Sequence, residues 1–245
     1  MQPRSSTLFH FTKNTEILKS LLKDGFWPRY CLEDIAWQGE GADFVAFPMV
    51  CFCDIPISRI NEHVAFYGTF GIGLTREWGL KNGLNPVCYM AKSETFEKSL
   101  NHVLDLVHEH EDDDTRLESL NHARYVLSYF KPISGRMIIG GKSITKEFYQ
   151  ESEWRYVPRH ENLDHYLLES DFNNKRILNK ANKTSLNYCL LKFLPSDVRY
   201  IFVPTDADIP TIINFIQTEL DHYPSSELKV LLSRVTSLES IAVDL

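Results

Sequence analysis

Apolar residues recur along the chain with two periods, and the points where the period changes mark out short strands and helices. Residues 7–12, TLFHFT, alternate as a strand. Thr12 and Asn14 supply cap chemistry for a helix in which Ile17, Leu18, Leu21 and Leu22 recur at helical spacing, with Gly25 as the C-terminal cap. GFWPRY reads as a turn leading into a strand, and residues 35–43, with Gly39 and Gly41 among polar neighbours, read as a surface loop over a pocket. A strand over 45–54 turns Val50, Phe52 and Asp54 to one face and Cys51 and Cys53 to the other. Ile55-Pro56 ends it, and Ser58 caps a helix over 59–67.

Further along, FGIGLT at 70–75 predicts a strand, 76–81 a helix and 87–91 another strand. From 93 to 130 the period is helical, with Leu100, Val103, Leu104 and Val107 on one face and an acidic joint at 111–114. Residues 148–157, FYQESEWRYV, alternate as a strand, and 162–185 read as loop-rich. Two strand-like runs within 188–204 are divided by Pro195, a helix over 209–220 follows Asp208 as N-cap, and 237–245 suggest a closing strand. Strands mixed with helices and no linker predict one α+β domain over 1–245, with a helical insertion around 93–130.

Composition narrows the function classes. With 43% hydrophobic and 24% charged residues the chain of 245 residues is that of an ordinary globular protein. Lys plus Arg is 26 against 33 Asp plus Glu, so a net charge of -7 opposes a broad nucleic-acid coat, although a local basic groove remains compatible with it. Five cysteines are too few for a disulfide framework and read as reduced thiols. No segment reads as a signal peptide or membrane span, which gives the expectation of a soluble, cytoplasmic protein with no membrane partner.

Three segments carry candidate chemistry. His10, between Phe9 and Phe11, is either a satisfied core histidine or a group that binds a ligand hydroxyl. Glu151 and Glu153, two residues apart on a strand, project from one face; they are either edge carboxylates with Arg155 as a cross-strand partner, or a pair that divides binding and catalytic roles at a cationic transition state. His63, Phe66, Tyr67 and Phe70 lie beside Gly68, Gly71 and Gly73, where a ring can stack on a heterocycle and glycine lets backbone approach it; core packing is the alternative.

Taken in order, LFHFT, GFWPRYCLE, PMVCFCDIPIS, HVAFYGTFGIGLTREWG, NPVCY and EFYQESEWRYVP resemble the AbiGi-type abortive-infection proteins of bacteria over nearly the whole chain. The sparse His, Tyr, Glu pattern more distantly resembles the ADP-ribosyltransferase superfamily. That second resemblance implies a split mixed β-sheet holding NAD as substrate, with His10, Thr12, Tyr67 and His63 as the cofactor-binding residues and Glu153 and Glu151 as the catalytic ones. His10 would bind the adenosine-side ribose. Tyr67 would stack on nicotinamide, with Tyr30 and Tyr89 as alternatives, and Glu153 would hold the nicotinamide-ribose 2′-hydroxyl while Glu151 helps choose the acceptor. The implied activity is transfer of ADP-ribose to a macromolecule, protein or single-stranded RNA or DNA, by a toxic effector of anti-phage defence with an antitoxin or regulatory partner. AbiGi-type proteins are described as the antitoxin-like half of a phage-exclusion pair, which implies the alternative of a non-catalytic interaction protein on the same fold.

Other patterns are weaker. His102, His108 and His110 do not share a helical phase that would hold zinc, and no metal is expected. GRMIIGGKS misses phosphate-loop spacing by the intrusion of Gly141 and reads as a turn between strands. The basic cluster of Lys175, Arg176, Lys180 and Lys183 is either a solvated face or a contact for acidic substrate or nucleic acid.

Overall fold

The computed structural model describes residues 5–38, 43–108, 112–139 and 142–243. Along the chain the elements run β1 (Thr7–Thr12), α1 (Thr15–Asp24), β2 (Arg29–Asp34), β3 (Phe44–Cys53), α2 (Ile60–Tyr67), β4 (Phe70–Thr75) and α3 (Arg76–Lys81). They continue through β5 (Asn85–Pro86), β6 (Cys88–Met90), α4 (Glu94–His108), α5 (Asp113–Leu127), β7 (Phe130–Pro132), β8 (Ser134–Ile139), β9 (Lys142–Glu147) and β10 (Glu153–Tyr156). The rest comprises β11 (Leu167–Leu168), α6 (Glu169–Asn173), α7 (Lys175–Tyr188), β12 (Val198–Val203), α8 (Ile209–Glu219), α9 (Ser225–Leu232), β13 (Val235–Ser237) and α10 (Leu238–Ala242). The protein is α+β with a mixed sheet, and the helical insertion takes the form of α4 and α5. Its chain divides into two compact units, Met1–Phe26 with Cys51–Leu84 and Leu190–Leu245, and Trp27–Val50 with Asn85–Cys189.

In the first unit the strand order is β13-β12-β4-β1, with β12 parallel to β13 and the other pairs antiparallel. The period of two in TLFHFT turns Phe9 and Phe11 into a cluster with Cys53, Ile55, Ile60 and Phe202. Those rings need space on the neighbouring strand. A Cβ on Gly73 would stand 2.8 Å from Phe9 Cε1, and one on Gly71 would stand 2.7 Å from Phe11 Cδ1. The two glycines of FGIGLT therefore accommodate core rings, where the sequence had suggested the close approach of a ligand. Asn14 caps α1 by accepting from the Ile17 amide, and Leu18, Leu21 and Leu22 are the buried stripe of that helix.

In the second unit β2 and β11 both pair antiparallel with β3, and β10 pairs antiparallel with β5. β6 and β7 form a short parallel pair, and β8 and β9 pair antiparallel; residues 140–141, where the turn in GRMIIGGKS is expected, lie outside the described residues. Tyr30, Ala46, Leu163, Leu167, Ala181 and Cys189 make a core beneath α7.

Several expectations are corrected. The expected strand over 148–157 is a 3₁₀ turn, Phe148–Glu151, followed by Ser152 at φ 44° and only then β10. The segment 162–185 is largely helical, because Asn174 caps α7 by accepting from the Arg176 and Ile177 amides, and Ala181 and Ser185 give it a narrow buried face. Of the two strands expected in 188–204 only β12 forms, while Leu191 makes a single bridge to Phe26. The terminal strand is the short β13, which gives way to α10 capped by Ser237. Ser58 lies within a 3₁₀ turn, Ile57–Arg59, and does not cap α2. Asp208 accepts from the Thr205 amide and hydroxyl and does not cap α8 with its side chain. No described helix is long and apolar enough to cross a membrane.

Candidate functional site

Among the described residues the densest polar chemistry lies in the second unit, where six ionisable side chains meet. Ser152, in the left-handed region, turns the chain from the 3₁₀ segment into β10. That turn delivers Glu151 and Glu153 to one ammonium group, Lys131 Nζ in β7, at 3.1 and 2.8 Å. The other oxygen of Glu151 pairs with Lys146 Nζ at 2.6 Å. Arg155, with no solvent exposure, donates from Nε to Glu153 Oε1 at 2.6 Å and from Nη2 to Glu33 Oε2 at 2.8 Å. Its Nη1 donates to the Ser128 carbonyl, and the Glu153 amide donates to Tyr89 Oη at 2.8 Å.

Three carboxylates, Glu33, Glu151 and Glu153, thus face three cations, Lys131, Lys146 and Arg155. Burial works against charge on Lys131, yet Glu153, Glu33 and Glu151 outweigh it and hold the ammonium above its ordinary range. Phe148 covers the same nitrogen at 4.1 Å from its ring centroid. Burial likewise raises the Tyr89 phenol, so it stays protonated at neutral pH. Such an arrangement neutralises itself internally and holds four chain segments together.

Of the sequence-predicted ligand residues of the first unit, Thr12, His63 and Tyr67 lie close to one another, whereas the His10 ring packs on Phe26 and Phe52, on the face of β1 opposite the Phe9 and Phe11 cluster that Tyr67 joins. His10 and Thr12 stand opposite Ile72 and Phe70 across the β1–β4 ladder, and the His63 ring is 5.6 Å from Tyr67. Gly68 ends α2 directly against Thr12, so Thr12 and Tyr67 are neighbours, and Tyr67 packs on the Phe9 and Phe11 cluster. His10 Nδ1 is 2.8 Å from the Cys51 carbonyl, which fixes the proton on Nδ1, and its ring packs on Phe26 and Phe52.

The family model described as "abortive phage resistance protein AbiGi, antitoxin" matches residues 24–204. The chain belongs to the AbiGi family. A relative in Lactococcus lactis subsp. cremoris, the abortive phage resistance protein AbiGi, is 28% identical over 89% of this chain and 99% of its own length. No solved structure matches. The segment that matches the AbiGi model contains all six members of the charge cluster together with His63 and Tyr67, and it begins beyond His10 and Thr12.

In this AbiGi chain the histidine has a measurable signature. Burial lowers the His10 pKa, and the Cys51 carbonyl only partly opposes it. Between the folded and the unfolded value the unfolded chain binds the extra proton, so stability is lost as the pH falls below about 6.5. His10→Gln is expected to flatten that loss, by up to about 1.4 kcal/mol per pH unit in the affected window. Urea midpoints at neutral and mildly acidic pH measure it, with a residual slope left by His165, whose pKa burial also lowers. A slope equal to that of the parent protein would remove His10 as its source.

Two features lie outside the predicted site residues, and the second borders the 35–43 segment read as a loop over a pocket, of which 39–42 lie outside the described residues. Glu33, Lys131 and Lys146 belong to the cluster, and the one local signal was Lys131 between Phe130 and Pro132, a cation in an apolar strand. A cavity of about 440 Å³ in the second unit, bordered by Asp34, Trp37, Met90, Phe96 and Ile133, has the size of a small-molecule pocket. None of the predicted site residues lines it.

Proposed function

We propose that this AbiGi-family chain serves abortive phage resistance as a non-catalytic, antitoxin-like protein that neutralises a toxin partner. The observation that carries this reading is the engagement of Glu153. Both of its oxygens already accept from buried cations, Arg155 at Oε1 and Lys131 at Oε2. A carboxylate that stabilises a sugar cation must offer uncompensated negative charge. Here a developing cation would meet Lys131 and Arg155 beside it, and their repulsion offsets the attraction. The same ion pairs suit a rigid scaffold, and the antitoxin description of the family supports the same role.

A second reading, ADP-ribosyl transfer from NAD to a macromolecular acceptor, draws on His10. Its Nδ1 contact with Cys51 leaves Nε2 as the acceptor nitrogen of the neutral ring, the form that takes a ribose hydroxyl. Two assays separate the readings. Incubated with labelled NAD and bacterial lysate, parent protein and Glu153→Gln are both expected to label nothing. Co-expressed with the genes that flank it, the chain is expected to relieve the toxicity of one of them, and folded Glu153→Gln to relieve it equally. Labelling, or toxicity of the isolated chain, that disappears in Glu153→Gln would install the transferase and sink the antitoxin reading.

A further inference from the structure

We propose that the outward face of α7 is a nucleic-acid contact surface that takes the phosphate backbone of a DNA or RNA strand. Over KRILNKANKTSLNY the helix carries four cations and no carboxylate. Its buried side is fixed: Ser185 Oγ donates to the Pro28 carbonyl, Trp27 Nε1 donates to the Asn182 carbonyl at 2.9 Å, and Asn182 Oδ1 accepts from the Tyr30 amide at 3.0 Å. At about 100° per residue, Arg176, Lys180 and Lys183 form one exposed stripe opposite buried Ala181 and Ser185, with Lys175 on its flank. A fifth exposed cation, Arg29, stacks at 4.1 Å on Trp27, the ring tied to this same helix.

What sets these cations apart is their gathering on one helix, since among the described residues Lys13, Lys81, Lys92, Lys192, Arg199 and Lys229 are also exposed and make no ion pair. Lys23, Lys98 and Arg116 each pair with a carboxylate. Among the described residues, Arg29, Lys175, Arg176, Lys180 and Lys183 make no ion pair, although α6, packed on α7, carries Glu169 and Asp171. Nor does helix stability explain them, since Lys175 and Arg176 occupy the first turn, where the helix dipole disfavours positive charge. A protein-binding hot spot would need an apolar anchor in the stripe. The exposed apolar groups Ile177 and Tyr188 lie off it, while Asn179 and Asn187 interleave the cations as hydrogen-bonding groups suited to phosphate and sugar. Arg176 to Lys183 spans about 10 Å of helix, which faces several phosphates at about 3.4 Å per nucleotide along a strand. The net charge of -7 confines the footprint to this stripe, because local potential governs the contact.

The test is fluorescence anisotropy of the full chain with a labelled duplex DNA and a labelled single-stranded RNA, each of roughly two dozen nucleotides per strand, at about 50 and 200 mM salt. Four neutralised phosphates predict a log–log salt slope near -3.6 for duplex and about -2.8 for single strand, so binding weakens on the order of 150-fold or 50-fold over that range. Combining K175A, R176A, K180A and K183A is expected to remove most of the slope and at least about tenfold of the low-salt affinity, with an unchanged circular dichroism melt. Lys98→Ala, on an ion-paired surface elsewhere, is expected to change neither. Absence of binding to both probes at low salt, or a slope that survives the fourfold variant, would overturn the proposal. So would α7-dependent binding of polyglutamate in place of either nucleic acid, which would assign the stripe to an acidic protein.

Discussion

Arg155→Met is expected to lower the unfolding free energy by about 3–5 kcal/mol, because it removes the buried cation that pairs with both Glu33 and Glu153 and leaves the carboxylates of the cluster in excess over Lys131 and Lys146. Arg155 is fully buried, and its removal strips Glu33 of its 2.8 Å partner and Glu153 of its 2.6 Å partner while Met fills much of the volume. For a chain of this size the melting midpoint falls by roughly 6–20 °C. Two controls identify charge as the cause. Glu33→Gln added to Arg155→Met restores the balance of three carboxylates against three cations to two against two, so it costs less in that background than in the parent protein. The loss also persists at high salt, since buried pairs are weakly screened. Strict additivity of the two substitutions in urea unfolding would mean that the cluster does not act as a unit.

The pH behaviour of the cluster has a definite sign. The Lys131 ammonium is held above its unfolded value, so its contribution is complete below about pH 10.5 and fades only as the pH climbs through the folded value. Across the neutral range it is constant. Any change of stability between mildly acidic and neutral pH therefore comes from groups such as His10, which lose stability on acidification.

How much of this was legible in the sequence depends on how far apart the partners lie along the chain. TLFHFT and FGIGLT form β1 and β4 as expected, because strand character needs only local information, whereas the register that pairs them does not show in either segment. The stripe from Ile17 to Leu22, ended by Gly25, likewise gives α1. α7 was hidden because its buried face rests on Ala181 and Ser185, small residues that add little hydrophobic signal amid lysine and asparagine. Glu151 and Glu153 do share a destination, but by the turn at Ser152 and not by alternation along one strand. Lys131 and Glu33 lie in segments far from them, and charge pairing at such separations has no local period to betray it. The same is true of Tyr89, whose hydroxyl accepts from the Glu153 amide.

Gly68→Ala is the second large effect, on the order of 3–5 kcal/mol, from positive-φ strain together with overpacking against backbone. Gly68 closes α2 by donating to the Val64 carbonyl at φ 130°, and a Cβ there would stand 2.2 Å from the Thr12 carbonyl oxygen and 2.7 Å from Lys13 Cα. Backbone atoms cannot swing aside as a side chain does, so β1 and α2 must separate. Gly83 isolates the first contribution, because it too has positive φ, 74°, yet a Cβ would meet nothing within 4 Å. Gly83→Ala is expected to cost only about 1 kcal/mol. Urea unfolding of the pair therefore reads the close approach of Thr12 to the end of α2 as a difference of about 2–4 kcal/mol. Since Tyr67 precedes Gly68, that approach also fixes where its ring stands relative to Thr12, and equal costs at the two glycines would show that the two residues are not held together by this contact.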